Sequence, residues 1–269
     1  MERLDGSKLG EPDQYDGTWT DTARKALERA VSRHGGWEAW RSIPPLKVET
    51  QSFTGGLAVM KGCGKTFQLP SSVVYPQWNE VEFADFPMKG QLTRYKQGLI
   101  EIRDLASGDI LDLVPDHRAT FQGLRKLRRW DNMDIMYFIA NGLPIYLGVP
   151  FILTATRLVD FRILRRGEAS FSRFTVDWPA DLETHSRRQS FEFAQDGLFE
   201  RIEYTAEIVG KFPRAVHIAR DWIEISGLLF GARRIARPLI VGKAVGPKLA
   251  DLELSIGAAS HREREAPEV

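Results

Sequence analysis

The stretch HSRRQSFEFAQDGLFERIEYTAEIVG, residues 185–210, decides the fold. Apolar and polar residues alternate on both sides of Asp196-Gly197, and this dipeptide between two alternating runs is the strongest short signal for a β-hairpin. We expect Phe191 and Phe193 to lie on the inward face of the first strand, because side chains alternate between the two faces with a period of two. By the same period, the inward face of the second strand has the residues Ile202, Tyr204, Ala206 and Ile208.

Similar alternating runs lie on both sides of this hairpin. LKVETQSF (46–53), VEFADF (81–86), LIEIRD (99–104) and DILDLV (109–114) predict a meander of half-buried strands over residues 46–115. Strands resume from about Arg162. In this region SFSRFTVDW (170–178) places Phe174, Val176 and Trp178 on one face. RAVHIARDWIEISG (214–227) and DLELSIG (251–257) add further strands.

Two regions have helical spacing instead. TDTARKALERAVSRHGG (20–36) predicts an N-terminal helix with a small apolar stripe, and residues 119–156 interrupt the strands with a helical insert. We therefore expect a mainly β (α+β) fold: a strongly curved antiparallel sheet or incomplete β-barrel with an N-terminal helix and a mid-chain helical lid. Residues 1–19 predict a flexible tail, 20–257 a single domain, and 258–269 a disordered C-terminal tail.

IMYFIANGLPIYLGVPFILTAT, residues 135–156, has no Asp, Glu, Lys, Arg or His and is about long enough to span a bilayer. Asn141-Gly142, Pro144 and Pro150 argue against a transmembrane helix, and no second candidate span exists in the chain. We expect a helix to about Ala140, a break at Asn141-Gly142, and then a buried extended segment. Such a segment would close over one end of a curved sheet and cover an apolar ligand.

Composition excludes several function classes. The 37 basic and 36 acidic residues give a net charge of +1, so no nucleic-acid partner is expected. The single cysteine, Cys63, permits no internal disulfide and fits a reducing compartment. The polar N-terminus has no apolar run of the kind that a secretory signal contains, so the cytoplasm is the expected location.

Three short motifs do not predict the chemistry that they resemble. KGCGKT (61–66) lacks the first glycine of a phosphate-binding loop, since residue 59 is Val, and predicts a glycine-rich β-turn. The five histidines have no metal-ligand spacing, so neither a metal nor a cofactor is expected. No G-x-S-x-G sequence is present, which excludes a hydrolase nucleophile elbow.

The segment RRWDNMDIMYF, residues 128–138, has two carboxylates on one predicted helix face. Asp131 and Asp134 lie three residues apart, close to Ile135 and Phe138. An apolar neighbourhood raises a carboxyl pKa, so either group is a candidate general acid or base. Alternatively, Asp131 caps the helix N-terminus and its charge favours that end.

Three further polar side chains are predicted to face the interior. If the first hairpin strand runs unbroken from His185, then His185 and Gln189 share the inward face with Phe191 and Phe193. His185 is then either a proton carrier or a histidine at the rim whose ring bonds a backbone carbonyl. Tyr204 presents its hydroxyl inward, to a ligand or to a core partner. His217 lies between Ala215 and Ala219, whose small size leaves space for a pocket or for close packing.

The segments GGWEAW, RWDNMDIMYF, THSRRQSFEF, DGLFERIEYTAEIVG and RAVH together resemble a family of uncharacterised bacterial proteins, over most of residues 30–235. The layout is also similar to the lipoprotein-carrier (LolA/LolB-like) fold, which implies an incomplete barrel with an apolar cavity for acyl chains. The chain departs from the family at Gly231-Ala232, where a Pro-Thr pair is usual. The matching positions are Trp130, Asp131, Asp134, Tyr137, His185, Ser186, Tyr204, Glu207 and His217.

These patterns support three hypotheses about function. The first is a cytoplasmic binding or carrier protein for a hydrophobic or aromatic small molecule, and the second is a cofactor-free acid/base enzyme (isomerase, cyclase or dehydratase) acting in the same cup. The third is a peripheral membrane protein that docks through residues 135–156. The sequence leaves the oligomeric state open. The candidate catalytic residues are Asp131, Asp134, His185, Tyr204 and His217. The candidate ligand-binding residues are Trp130, Tyr137, Phe138, Tyr146, Phe174, Trp178, Gln189, Phe191 and Phe193.

Overall fold

The computed structural model describes residues 8–62, 70–210 and 214–260. Within them, fourteen strands pair antiparallel with their neighbours in a continuous sheet. In chain order the strands are β1 (Leu46–Thr54), β2 (Ser72–Tyr75), β3 (Glu80–Ala84), β4 (Gln91–Lys96), β5 (Leu99–Asp104), β6 (Ile110–Val114), β7 (Arg157–Arg166), β8 (Ala169–Asp177), β9 (Arg188–Ala194), β10 (Phe199–Thr205), β11 (Arg214–Ile225), β12 (Leu228–Ile240), β13 (Lys243–Ala244) and β14 (Ala250–Ala258).

The strand order shows two meanders joined by the C-terminal strand. It runs β6-β5-β4-β3-β2-β1-β14-β12-β11-β10-β9-β8-β7, with β13 paired to β12 outside this path. Strand β14 therefore lies between β1 of the first meander and β12 of the second. The sheet curves without closing, because its edge strands β6 and β7 do not pair with each other. The predicted fold class, a curved antiparallel sheet with an N-terminal helix and a mid-chain helix, is confirmed.

Four α-helices accompany the sheet in the described part of the chain. They are α1 (Asp21–Arg33), α2 (Gly36–Arg41), α3 (Gly56–Lys61) and α4 (Asn132–Gly148). Short 3-10 segments occur at Pro76–Trp78, Arg118–Thr120, Gly123–Leu127 and Phe151–Ala155.

Helix α1 packs its small apolar stripe against the sheet. Thr20 caps the helix, since its side chain accepts a hydrogen bond from the Ala23 amide. The turn of the β9–β10 hairpin lies against this helix, as Gly197 shows: a Cβ atom there would lie 2.6 Å from the Arg29 carbonyl oxygen. Gly197 also has φ of 91°, which L side chains rarely adopt. The buried stripe contains Ala23, Ala26, Leu27, Ala30 and Val31, as the spacing predicts.

Helix α4 differs from the sequence prediction. It continues through Asn141-Gly142 and Pro144 to Gly148, and a 3-10 turn rather than an extended segment follows. Pro144 removes one backbone hydrogen bond. Packing compensates for this loss, because every residue from Asp134 to Gly148 is buried. The helix lies against β2, β3 and the 3-10 segment Pro76–Trp78, so it fills the curve of the sheet.

Residues 8–19, which the sequence assigns to the N-terminal tail, make specific contacts with the rest of the chain. The Leu9 amide donates a hydrogen bond to the Gln77 carbonyl at 2.7 Å. The Trp19 indole donates to the Thr156 carbonyl at 2.8 Å. The domain limits stay a prediction, since residues 1–7 and 261–269 lie outside the described residues. The β-turn predicted at KGCGKT also falls largely outside them, because the described chain stops at residue 62 and resumes at residue 70.

The sheet face opposite Phe191 and Phe193 carries a network of ion pairs. Glu192 is fully buried and accepts hydrogen bonds from Arg173 (2.6 Å) and Arg201 (2.8 Å). Arg166 binds the same carboxylate at 2.7 Å. These arginines belong to β7, β8 and β10, so the network joins neighbouring strands across the sheet.

Candidate functional site

A cavity of about 100 Å³ lies between helix α4 and strands β10, β11, β12 and β14. Helix α3 borders it, and Met60 of this helix is 57% exposed, so the cavity reaches the surface there. Apolar side chains make up most of the lining. The lining residues are Phe53, Leu57, Met60, Phe138, Ile139, Leu143, Tyr146, His185, Tyr204, Ala206, Val209, Ala215, His217, Arg234, Ala236, Leu249, Ala250 and Leu252.

Five of the predicted site residues meet at this cavity. Phe138 and His185 stack with ring centroids 4.5 Å apart, and His185 stacks on Tyr204 at 5.5 Å. Tyr146 contacts the His217 ring edge-on at 4.4 Å. The structure thus brings together three of the five predicted catalytic residues and two of the nine predicted ligand-binding residues.

Helix α4 can approach this aromatic cluster closely because of Gly142. A Cβ atom at this position would lie 2.8 Å from Nε2 of His185 and 2.9 Å from the ring of Tyr146. The Asn141-Gly142 pair therefore marks a close contact rather than a helix break. The neighbouring Asn141 donates weak hydrogen bonds to the hydroxyls of Tyr95 (3.3 Å) and Tyr137 (3.4 Å).

His185 reaches the cavity by a different route from the predicted one. Strand β9 begins at Arg188, so the expected unbroken strand from His185 is wrong. A turn precedes the strand, in which the Ser186 hydroxyl donates to the Arg188 carbonyl and Gln189 donates its amide to the Ser186 carbonyl at 3.0 Å. This local bonding uses the Gln189 side chain, which does not line the cavity.

Asp131 and Asp134 do not line the cavity but close the N-terminal end of α4. Asp131 is the N-cap, and the two residues form a reciprocal capping box. Asp134 is fully buried, accepts a hydrogen bond from His117 at 3.1 Å and pairs with Arg125. Burial raises the pKa of Asp134, but the bonds from His117 and Arg125 outweigh it and hold the pKa below its ordinary value. This geometry favours the capping alternative.

The remaining predicted ligand-binding residues lie in the core away from the cavity lining. The Trp130 ring contacts Phe121 edge-on and Phe138 at a tilt, while the Tyr137 hydroxyl donates to Glu183 at 2.7 Å. The other four belong to strands β8 and β9 or follow β8 directly, and they contact one another or Trp19. These four are Phe174, Trp178, Phe191 and Phe193.

Both cavity histidines are held neutral. Burial lowers the pKa of His185 to about 3, and the charge of Arg118 adds to the effect. Burial also lowers the pKa of His217 well below its ordinary value, followed by the charge of Arg234 and by His185. Neither Nδ1 atom has a hydrogen-bond partner among the described residues. The cavity therefore offers neutral imidazoles with unused polar atoms.

Arg234 is the cavity residue that sequence reasoning missed most clearly. It is 2% exposed, and it donates a hydrogen bond to the Tyr146 carbonyl at 2.6 Å. That carbonyl is near the C-terminus of α4, and the residue four positions later is Pro150, which has no N–H to offer. The guanidinium lies 5.4 Å from the Tyr146 ring centroid and 5.9 Å from that of Phe199. Burial lowers the pKa of Arg234 to about 10.

The other missed lining residues come from several elements, among them α3, α4, β1, β12 and β14. The only sequence signal for Arg234 is its two-residue spacing from Ala236, since both side chains point to the buried face of β12. No comparable signal marks Phe53, Leu57 or Leu249, whose segments meet through the pairing of β14 with β1 and through a hydrogen bond of 2.8 Å from the Leu57 amide to the Leu249 carbonyl.

Two other site classes have no support in the described residues. Those residues contain no group of three or more His, Cys, Asp or Glu side chains placed to hold a metal ion. No helix in the described ranges is both long and apolar enough to cross a membrane, and α4 ends after 17 residues.

Comparison with known proteins identifies the fold. No family model and no curated protein matches the sequence. Among solved structures, a LolA superfamily protein from Nitrosomonas europaea is 12% identical with a TM-score of 0.50, covering 91% of this chain and 97% of that one. An outer membrane lipoprotein-sorting protein domain from Vibrio parahaemolyticus is 8% identical with a TM-score of 0.46, covering 90% of this chain and 95% of that one. A DUF1329 family protein from Desulfovibrio piger is 12% identical with a TM-score of 0.47 and the same coverage.

The likeness to the LolA superfamily protein extends over nearly the whole of both chains, so the two share a layout. The predicted LolA/LolB-like layout is confirmed. At 12% identity the likeness establishes the fold alone.

Proposed function

We propose that this protein binds a hydrophobic or aromatic small molecule in the cavity between α4 and the curved sheet, as a binding or carrier protein. The observation that supports the proposal is the lining: an opening at Met60 leads to a largely apolar space with a few polar groups. Ligand sites in proteins have this character. The apolar acyl-chain cavity implied by the LolA-like layout fits the same proposal.

The cavity volume limits what enters it. An engineered apolar cavity of about 150 Å³ stays dry and binds benzene, so about 100 Å³ holds roughly one ring or a short length of alkyl chain. A longer ligand would extend through the opening beside α3. This argues for partial burial of a long chain rather than enclosure of a whole lipid.

Native mass spectrometry of protein purified without detergent tests the proposal, followed by solvent extraction of any bound molecule. We expect a discrete extra mass that disappears in Ala236→Leu, because leucine at this lining position fills the cavity. Ala258→Leu is the matched control, since Ala258 is exposed on β14 of the same sheet. An extra mass that persists unchanged in Ala236→Leu would place the ligand elsewhere and contradict the proposal.

The acid/base enzyme is the second candidate, because His185, Tyr204 and His217 meet at one cavity. Their neutral state argues for the binding protein, since a general base works best with a pKa near the operating pH. The two candidates differ in their variants. If the protein only binds its ligand, wild type should leave the extracted molecule chemically unchanged, and His185→Ala should change only the affinity. If wild type converts the molecule to a product and His185→Ala abolishes this conversion, the enzyme is favoured.

The cytoplasm is the proposed location, supported by a chain whose one cysteine cannot form an internal disulfide. Membrane docking through residues 135–156 receives no support, because this segment is almost entirely buried. Cell fractionation with a tagged chain tests the location. Recovery in the periplasmic or membrane fraction would contradict it.

A further inference from the structure

A second property of the cavity is the buried charge of Arg234 in its lining. Burying a guanidinium is costly unless an anion pairs with it. No Asp or Glu among the described residues forms an ion pair with Arg234, whose guanidinium lies instead 5.4 Å and 5.9 Å from the ring centroids of Tyr146 and Phe199. Other arginines of the sheet differ: Arg173 and Arg201 pair with Glu192, and Arg233 pairs with Asp251 at 2.8 Å.

The helix contact compensates for only part of this cost. One N–H of Arg234 bonds the Tyr146 carbonyl at the C-terminal end of α4, where the helix dipole favours a cation. A guanidinium has five N–H donors, and Nε of Arg234 is buried with no hydrogen-bond partner among the described residues. A donor and a full positive charge therefore remain unmatched at an apolar cavity.

Polar atoms of His217 and His185 would also favour an anion beside the Arg234 guanidinium. His217 lines the cavity with Arg234, and both lie against the Tyr146 ring: the His217 ring centroid is 4.4 Å from the Tyr146 centroid and the guanidinium is 5.4 Å from it. Nδ1 of His217 and of His185 are both unpartnered, as described above. A neutral imidazole supplies one N–H donor beside the guanidinium. Together these groups suit a planar oxyanion whose body is apolar.

We propose that the ligand is an amphipathic carboxylate, with its apolar body in the cavity and its carboxylate on the guanidinium of Arg234. Arginine matches a carboxylate because its N–H donors can form two parallel, charge-assisted hydrogen bonds. The inference rests on the proposed binding function and specifies its ligand class. Aliphatic acids and aromatic acids share this chemistry.

Isothermal titration with two probes of equal chain length separates the charge from the apolar body. The probes are octanoate and 1-octanol, tested against wild type, Arg234→Met and Arg233→Met. We expect wild type to prefer octanoate, and Arg234→Met to lose about 10- to 100-fold in octanoate affinity and much less in 1-octanol affinity. Arg233→Met is the matched control: its side chain pairs with Asp251 on the other face of β12, so both affinities should persist.

Folding of Arg234→Met is checked by circular dichroism and thermal denaturation, and an apolar replacement of an unpaired buried charge is expected to be tolerated. Arg234→Lys keeps the charge without the paired donors, and should show a smaller loss of octanoate affinity. A parallel titration with 3-phenylpropanoate distinguishes an aromatic from an aliphatic body, and a loss in Arg234→Met for either acid supports the proposal.

Two outcomes overturn the inference, and they differ from each other. If wild type binds 1-octanol and octanoate equally, or Arg234→Met loses both equally, Arg234 only caps α4, and the proposed function stands. If wild type binds neither the alcohol nor either acid, the proposed binding function fails and the inference fails with it.

Discussion

At the scale of the residue, the buried histidines link stability to pH. His34 is fully buried; its Nδ1 donates to the Ala30 carbonyl at 2.8 Å and its Nε2 accepts from the Phe199 amide at 3.4 Å. Burial lowers the pKa of His34 to about 4. Below about pH 6.5 the unfolded chain takes up a proton that the folded chain refuses, so the free energy of unfolding falls as the pH drops towards 4.

We expect His34 to contribute a loss of about 3 kcal/mol in the free energy of unfolding between pH 7 and pH 4. His185 and His217 act in the same direction, since their pKa values are also lowered. Urea denaturation across this range checks the expectation in wild type and in His34→Gln. The variant should show a shallower pH dependence; an identical slope would show that His34 is protonated in the folded state.

Single residues also show the limits of sequence reasoning at the site. The period of two correctly placed Tyr204 and His217 on the buried face, because this rule is local. The same rule wrongly placed His185 on the strand. Hydrogen bonds of the Ser186 and Gln189 side chains form a turn there, so β9 begins at Arg188, three residues after His185. The rule gave no reason to single out Arg234, because the partner that holds this side chain, the Tyr146 carbonyl, is 88 residues away.

At the scale of the element, α4 depends on close packing at Gly142. An alanine there would bring its Cβ atom to 2.8 Å from Nε2 of His185 and force that ring and Tyr146 towards the cavity. We expect Gly142→Ala to lower the free energy of unfolding by about 1–3 kcal/mol through overpacking, although alanine alone favours a helix by about 1 kcal/mol. It should also weaken binding of 1-octanol.

Gly257→Ala is the matched control, since a Cβ atom on Gly257 meets nothing within 4 Å. Urea denaturation and titration of both variants check the prediction. A Gly142→Ala protein that is more stable than wild type and binds 1-octanol equally would show that the helix and the two rings have room to separate.

The ion-pair network between strands makes a second prediction at this scale. Glu192 is fully buried beneath Arg166, Arg173 and Arg201. Glu192→Gln leaves three arginines without their shared carboxylate, so we expect a loss of about 3 kcal/mol in the free energy of unfolding. Arg188→Met breaks an exposed pair with Asp177, at 2.7 Å, and should cost far less, because solvent screens an exposed ion pair. Equal losses in the two variants, measured by urea denaturation, would contradict the network's role.

Elements also differ in how far the sequence predicts them. The β9–β10 hairpin and α1 follow from local chemistry: a turn dipeptide, a cap and a stripe of small residues. Helix α4 does not, because Pro144 and Gly142 locally disfavour the helix that complete burial stabilises.

At the scale of the whole molecule, β14 joins the two meanders. It pairs with β1 over Leu46 to Thr54 and with β12 over Arg233 to Ala236. The sequence predicts that this region is a strand, but strand order depends on contacts between distant segments, which periodicity does not specify. The cavity is hard to predict from sequence for the same reason, since Leu252 of β14 and Phe53 of β1 line it together.

This connection predicts that the two meanders unfold together as one domain. Far-ultraviolet circular dichroism and tryptophan fluorescence should follow a single urea transition with the same midpoint. Buried tryptophans report on both parts, because Trp40 packs near the first meander and Trp178 follows β8 of the second. Two separate midpoints would contradict the single-domain prediction for residues 20–257.

Anomalous diffraction from crystals soaked with bromobenzene tests most directly whether the cavity binds an apolar ligand. Bromobenzene has one ring, which suits a cavity of about 100 Å³. We expect a bromine peak between α4 and β12, beside Leu143, Tyr146 and Ala236. No bromine peak in this cavity at saturating ligand, or a peak only at another place on the protein, would contradict the proposal that the apolar cavity binds ligand.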